Sequence, residues 1–183
     1  MALKSTVFRL SLTVSDLDRN HYADYDLTLA RHPSETDERM MVRVLTFALH
    51  ACQDLRFGRG LSTDDEPALW EVDPTGQVMT WIEVGLPDED RIRKACSRAR
   101  RTVVVAYGGR AVDVWWQQLA GKLERHERLT VIRLPEAASA GMCGLVERSM
   151  RLTCTIQDGT LWLSSDALSV EIAMLVLKPG IAG

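Results

Sequence analysis

No Cys-x-x-Cys pair occurs in this chain. Cys52, Cys96, Cys143 and Cys154 are scattered and no histidine stands at zinc-finger spacing, which excludes the common zinc modules. They read as reduced structural thiols. No apolar run approaches the roughly 18 residues that a membrane helix requires. Met1-Ala2-Leu3-Lys4-Ser5 leads into an alternating strand rather than an apolar signal core, so the expected location is the cytoplasm, with no membrane partner. A basic excess is also missing: 22 Lys and Arg stand against 25 Asp and Glu, a net charge of −3. With pI about 5.8, no global field draws nucleic acid in, and any such binding must come from a local patch. His21, His32, His50 and His126 show no convergent pattern, and neither Gly-x-Ser-x-Gly nor a P-loop is present. A small-molecule hydrolase therefore finds little support. Internal repeats, low-complexity tracts and linkers are absent as well.

What remains is a soluble globular composition, 46% hydrophobic and 26% charged over 183 residues. That length suits one domain, 1–183, with a substantial core. Val7, Leu10, Leu12 and Val14 give an imperfect two-residue period and a strand near 4–14; Tyr25, Leu27 and Leu29 mark a second near 22–31. Ser34 with Asp37 resembles a capping box, and Met41, Leu45, Ala48 and Cys52 form an apolar stripe, predicting a helix from Ser34 to about Asp54. Phe57-Gly58-Arg59-Gly60 then turns the chain. Strands are expected at 65–73 and 77–85 around the Asp73-Pro74-Thr75-Gly76 turn. A helix at 88–100 follows, then a central strand at 102–107, a helix at 109–120, a strand at 129–134 and a helix at 136–148. An antiparallel hairpin turning at Gln157-Asp158-Gly159-Thr160 and a last strand at 168–177 close the chain. The fold class is α/β, with one mixed sheet flanked by antiparallel strands at both ends.

The stretch from Asp64 to Gly85 gathers acids on neighbouring strands. A three-residue turn puts Asp65 opposite Gly85 and one diagonal step from Glu83, roughly 7–8 Å between backbones. A two-residue turn instead puts Glu66 opposite Glu83. Either register gives Glu83 an acidic partner, and two converging carboxylates suit a hard divalent cation. Glu83 sits in the apolar Trp81-Ile82-Glu83-Val84, where an unpaired carboxylate is costly to bury. It also stands at the strand's C-terminal end, where open α/β sheets place ligands. Glu38 falls on the inward stripe of the first helix and supplies a third candidate, whereas Glu35 in its first turn favours the helix dipole.

Positive charge follows at once. Arg91, Arg93, Lys94, Arg98, Arg100 and Arg101 surround the apolar side Ile92, Ala95, Cys96 and Ala99. Arg91 and Arg98 flank that side and are the candidate phosphate contacts, while Lys94 points well away from it. The helix begins near Asp88, and its first amides offer a further hold on an anion.

Ala30-Arg31-His32-Pro33-Ser34-Glu35-Thr36, Glu38-Arg39-Met40-Met41, Asp64-Asp65-Glu66-Pro67, Gly85-Leu86-Pro87-Asp88, Trp115-Trp116-Gln117-Gln118 and Thr155-Ile156-Gln157-Asp158-Gly159 resemble the YaeQ family of bacterial proteins. These blocks run in order across most of the chain. The family resembles a variant of the PD-(D/E)xK nuclease fold, the restriction-endonuclease-like core, whose α-β-β-α-β order agrees with the middle segment. The resemblance implies that Asp65 is the metal-binding aspartate, that Glu83 is the acid of the (D/E)xK element, and that Glu38 is the accessory glutamate of the first helix. Gly85 stands where the motif expects lysine. Some members of this fold take that lysine from the following helix, which nominates Lys94. The function so implied is an Mg²⁺- or Mn²⁺-dependent phosphodiesterase acting on nucleic acid. The alternative is a non-catalytic nucleic-acid- or transcription-associated protein that retains the fold.

Overall fold

The computed structural model describes residues 4–59 and 65–181. Two strands open it, β1 (Thr6–Asp16) and β2 (His21–Arg31), paired antiparallel over their whole lengths. Phe8 takes the inward position ahead of Leu10, Leu12 and Val14, and Val7 faces out. The outward Ser11 and Thr13 donate across the pair to Asp26 and Asp24.

Helix α1 (Asp37–His50) begins later than expected because Thr36, not Ser34, caps it: the Thr36 hydroxyl accepts from Arg39 N at 3.1 Å. Ser34 instead meets His32 Nδ1. Every residue from Met40 to Ala48 is buried, a surface far wider than one stripe. The cause is its place between two sheets. On one side α1 touches β1 and β8 (Ser149–Gln157); on the other it touches β3 (Leu55–Phe57) and β5 (Val78–Val84).

Strand β3, where the sequence suggests only a turn, pairs with β4 (Leu69–Val72), which pairs in turn with β5. The hairpin turn is closed as expected. Asp73 N donates to Gln77 O, and Asp73 Oδ1 accepts from Thr75 and from Gln77 N. Val72 faces Val78, but an irregularity at Glu71/Val72 slips the rest by one residue, so Trp70 faces Trp81 and Leu69 faces Ile82. Since β4 starts only at Leu69, Asp65 and Glu66 lie in the loop before it, and neither expected register describes them.

Then come α2 (Glu89–Arg98), β6 (Ala99–Ala106), α3 (Arg110–Leu123) and β7 (Leu129–Arg133), with β5, β6 and β7 parallel. Helix α4 (Glu136–Gly141) is shorter than predicted and passes into a 3₁₀ turn at Met142–Leu145. Strand β8 runs parallel to β1 and turns through Asp158 and Gly159, both at positive φ, into β9 (Thr160–Ser164). The single last strand expected is two. Strand β10 (Ser169–Ala173) pairs with β9, and β11 (Leu175–Lys178) crosses to pair with β7.

The one mixed sheet expected is therefore two, of order β10-β9-β8-β1-β2 and β11-β7-β6-β5-β4-β3. The second is covered on both faces. Val103 and Val105 join the core around α1, while Val104 and Ala106 pack with Ile92 of α2 and Val112, Trp115 and Leu119 of α3. Among the described residues, no helix is long and apolar enough to cross a membrane.

Candidate functional site along helix α2

Strand β5 alternates. Ile82 and Val84 enter the core around α1, so Trp81 and Glu83 point to the opposite face, toward α2. Glu83 is 4% exposed, and its charge is answered there. Trp81 Nε1 donates to Oε1 at 2.7 Å, and Arg91 Nε lies 2.9 Å from the same oxygen. Arg91 also donates to the Glu66 carbonyl at 2.9 Å, tying α2 to the loop before β4. In that loop, Glu66 is turned away from Glu83: its carboxylate accepts from Arg59 N at 3.0 Å.

Asp65, in the same loop, meets α2 further along the helix. Lys94 Nζ donates to its Oδ1 at 2.7 Å, and Arg98 lies 3.7 Å from that oxygen. The hydrogen bond from Lys94, with the charge of Lys94 and then of Arg98, holds the Asp65 carboxyl below the ordinary carboxylate range. Arg91, Lys94 and Arg98 recur at i, i+3 and i+7, which makes them one stripe. Lys94 does point away from the buried Ile92 and Ala95, but its target stands beside the helix rather than beneath it.

The backbone explains why no side chain is offered at position 85. Gly85 has φ +111° as its N–H completes the pairing to Val105 O. A lysine there would be strained. The loop Gly85–Asp88 is fixed by Trp115, whose Nε1 donates to Pro87 O at 2.7 Å. The first turn of α2 is not open to an outside anion at Arg91 N, because Asp88 Oδ1 already accepts from it at 2.8 Å.

Glu38 is brought elsewhere. It accepts from Ser139 Oγ of α4 at 2.6 Å. Near it, Glu35 does more than favour the helix dipole. Its buried carboxylate binds Arg39 at 2.6 Å and the buried Arg43 at 2.9 Å. The sequence signal for this was two arginines, Arg39 and Arg43, four apart on one face of α1, with Glu35 just ahead of its Thr36 cap. The Trp81–Glu83 bond had a signal too, since i and i+2 on a strand share a face.

Carboxylate oxygens are suitable donors for Mg²⁺ or Mn²⁺, and Mg²⁺ commonly uses only one or two protein carboxylates, with water and substrate phosphate completing the shell. Among the described residues, no three His, Cys, Asp or Glu side chains form a group that could hold a metal. A closed three-carboxylate centre with Glu38 is therefore not what these residues build. Asp65 and Glu83 each face a cation of α2, Lys94 and Arg91 respectively. Asp64, the neighbouring acid, lies outside the described residues.

Known proteins share this arrangement of chain. The family model described as YaeQ protein matches residues 1–174. The YaeQ protein of Escherichia coli (strain K12) is 45% identical over 172 residues, covering 94% of this chain and 95% of its own. That of Salmonella typhi is 45% identical over 174 residues, covering 95% and 96%. Among solved structures, the YaeQ protein from Xanthomonas axonopodis pv. citri superposes with a TM-score of 0.93 at 49% identity, over 95% of this chain and 98% of that one. The Pseudomonas syringae YaeQ protein gives 0.92 at 36% identity, over 96% and 97%. Identity at this level, over nearly the whole length and with the same fold, makes this chain a member of the YaeQ family.

Proposed function

We propose that this protein is a nuclease-like phosphodiesterase acting on nucleic acid, its site running along α2, on a variant of the restriction-endonuclease-like core. The carrying observation is the Lys94 ammonium 2.7 Å from Asp65. Helix α2 delivers to the acidic loop the amine that Gly85 lacks. Arg91 and Arg98 continue the positive stripe on either side and bind the phosphates next to the scissile one. Asp65 and Glu83 would hold a divalent ion, whose chemistry is to activate water and neutralise charge developing on phosphate. Trp81 fixes the Glu83 carboxylate in place, and Lys94 positions the scissile phosphate or the attacking water.

Calorimetry with Mn²⁺ tests the assignment. Wild type is expected to bind, and Glu83→Gln, which keeps an acceptor for Trp81, to bind at least ~10-fold more weakly. Equal binding by the two proteins removes Glu83 from the site.

A second reading has its own support. Both carboxylates are already paired with cations, and no three-ligand group forms among the described residues, as in a protein that holds nucleic acid without cutting it. Salt-sensitive binding without cleavage in any metal would favour that reading.

A further inference from the structure

Two carboxylates serve the α2 stripe, and they are not equivalent. Glu83 is buried, anchored by Trp81 on a central strand. Asp65 sits in the loop before β4 with its side chain 78% exposed. An exposed ion pair adds little to folding stability, so the effect of Asp65 is chiefly on the charge that the stripe shows to solvent. Removing the charge of Asp65 makes the stripe of Arg91, Lys94 and Arg98 more positive by one unit. A phosphate oxygen approaching this stretch seeks the Lys94 N–H that Asp65 Oδ1 now accepts from, and the Arg98 charge that lies 3.7 Å from the same oxygen. The exposed Asp65 side chain can turn from Lys94 by rotating about its own χ angles, whereas the buried Glu83 cannot.

We propose that Asp65 is a built-in competitor of nucleic-acid phosphate: it holds Lys94 and Arg98 in the unbound protein and is displaced when a phosphodiester takes them. This rests on the nucleic-acid reading above and adds a sign that reading does not require. Losing this acid strengthens binding. The displaced carboxylate is also released for the cation that the proposed chemistry needs, so one exchange of partners serves both events.

The experiment is fluorescence anisotropy with labelled single-stranded and duplex oligonucleotides in EDTA, over a series of salt concentrations. Wild type is compared with Asp65→Asn and with Asp90→Asn. Asp90 is an acid of the same helix that pairs only with Arg93 among the described residues, and it controls for net charge. Asp65→Asn is expected to bind ~3- to 10-fold more tightly than wild type, with a log–log salt slope steeper by about one. Asp90→Asn is expected to stay within about twofold of wild type. If Asp65→Asn binds no more tightly than Asp90→Asn, Asp65 is not a competitor, although the nucleic-acid reading survives. If wild type and both variants bind no oligonucleotide, the nucleic-acid reading itself is overturned and the competitor falls with it.

Discussion

At the scale of single residues, the polar groups next to the core separate into those that are compensated and those that are not. Glu83 is compensated by Trp81 and Arg91, and that is what permits a carboxylate at 4% exposure. His50 is the opposite case. Its Nε2 is buried without a hydrogen-bond partner among the described residues. Burial first, then the charges of Arg101 and Arg19, pushes its pKa down to about 3. The folded value lies below the unfolded one, near 6.5. Between those limits the unfolded chain binds the extra proton, so stability falls as pH drops from about 6.5 toward 3, by at most ~1.4 kcal/mol per pH unit. Urea titrations between pH 7 and 4 are expected to show this slope in wild type and to show it reduced in His50→Gln. Hairpin register pairs Glu83 with Asp65 or Glu66, whereas in the structure Glu83 meets Arg91 and Asp65 meets Lys94. Lys94 in particular was judged against the buried side of its helix, while its partner came from a loop.

At the scale of elements, α1 carries the joint between the sheets. Phe47 meets Tyr25 of β2 edge-on at 5.1 Å and stacks on Phe57 of β3 at 5.3 Å, one ring from each sheet. Arg43 lies over the same Phe57 and bonds Glu35. Removing Glu35 leaves the guanidinium of Arg43 buried without its counter-charge. Glu35→Ala is therefore expected to cost ~3–5 kcal/mol in a guanidinium titration; a loss below ~1 kcal/mol would mean that Arg43 finds another partner. The existence of α1 was legible from its stripe, and so were the strands and helices from β5 to β7. What surrounds α1 was not legible. Periodicity marks one apolar face, whereas Arg43 is buried against the counter-charge of Glu35, and Thr46 is buried with its hydroxyl donating to the Val42 carbonyl. The same limit explains the hairpin. Turn chemistry placed Asp73 against Gln77 correctly, but a one-residue slip beyond Val72 depends on tertiary fit and leaves no mark in composition. Strand β3, at three residues, is too short to carry a period.

At the scale of the whole molecule, a net charge of −3 means that any attraction for nucleic acid must be local. The two sheets divide the labour accordingly. The first packs one face on α1 and turns Ser11, Thr13, Asp24 and Asp26 outward. The second, covered on both faces, sets β5 beside α2, where Glu83 meets Arg91 and Asp65 of the loop before β4 meets Lys94. Two sheets were not legible from the sequence because the chain changes sheet within one residue, Met174, between β10 and β11. The α/β class and the order of the middle elements were legible, since each element there is long enough to show its period. The central claim is that the α2 stripe handles phosphodiesters, and single-turnover cleavage of labelled DNA and RNA oligonucleotides in Mn²⁺ tests it most directly. Wild type is expected to cut, and Lys94→Met to cut ~100-fold more slowly or worse. Equal rates from the two proteins, or no cleavage of any strand by wild type, would contradict it.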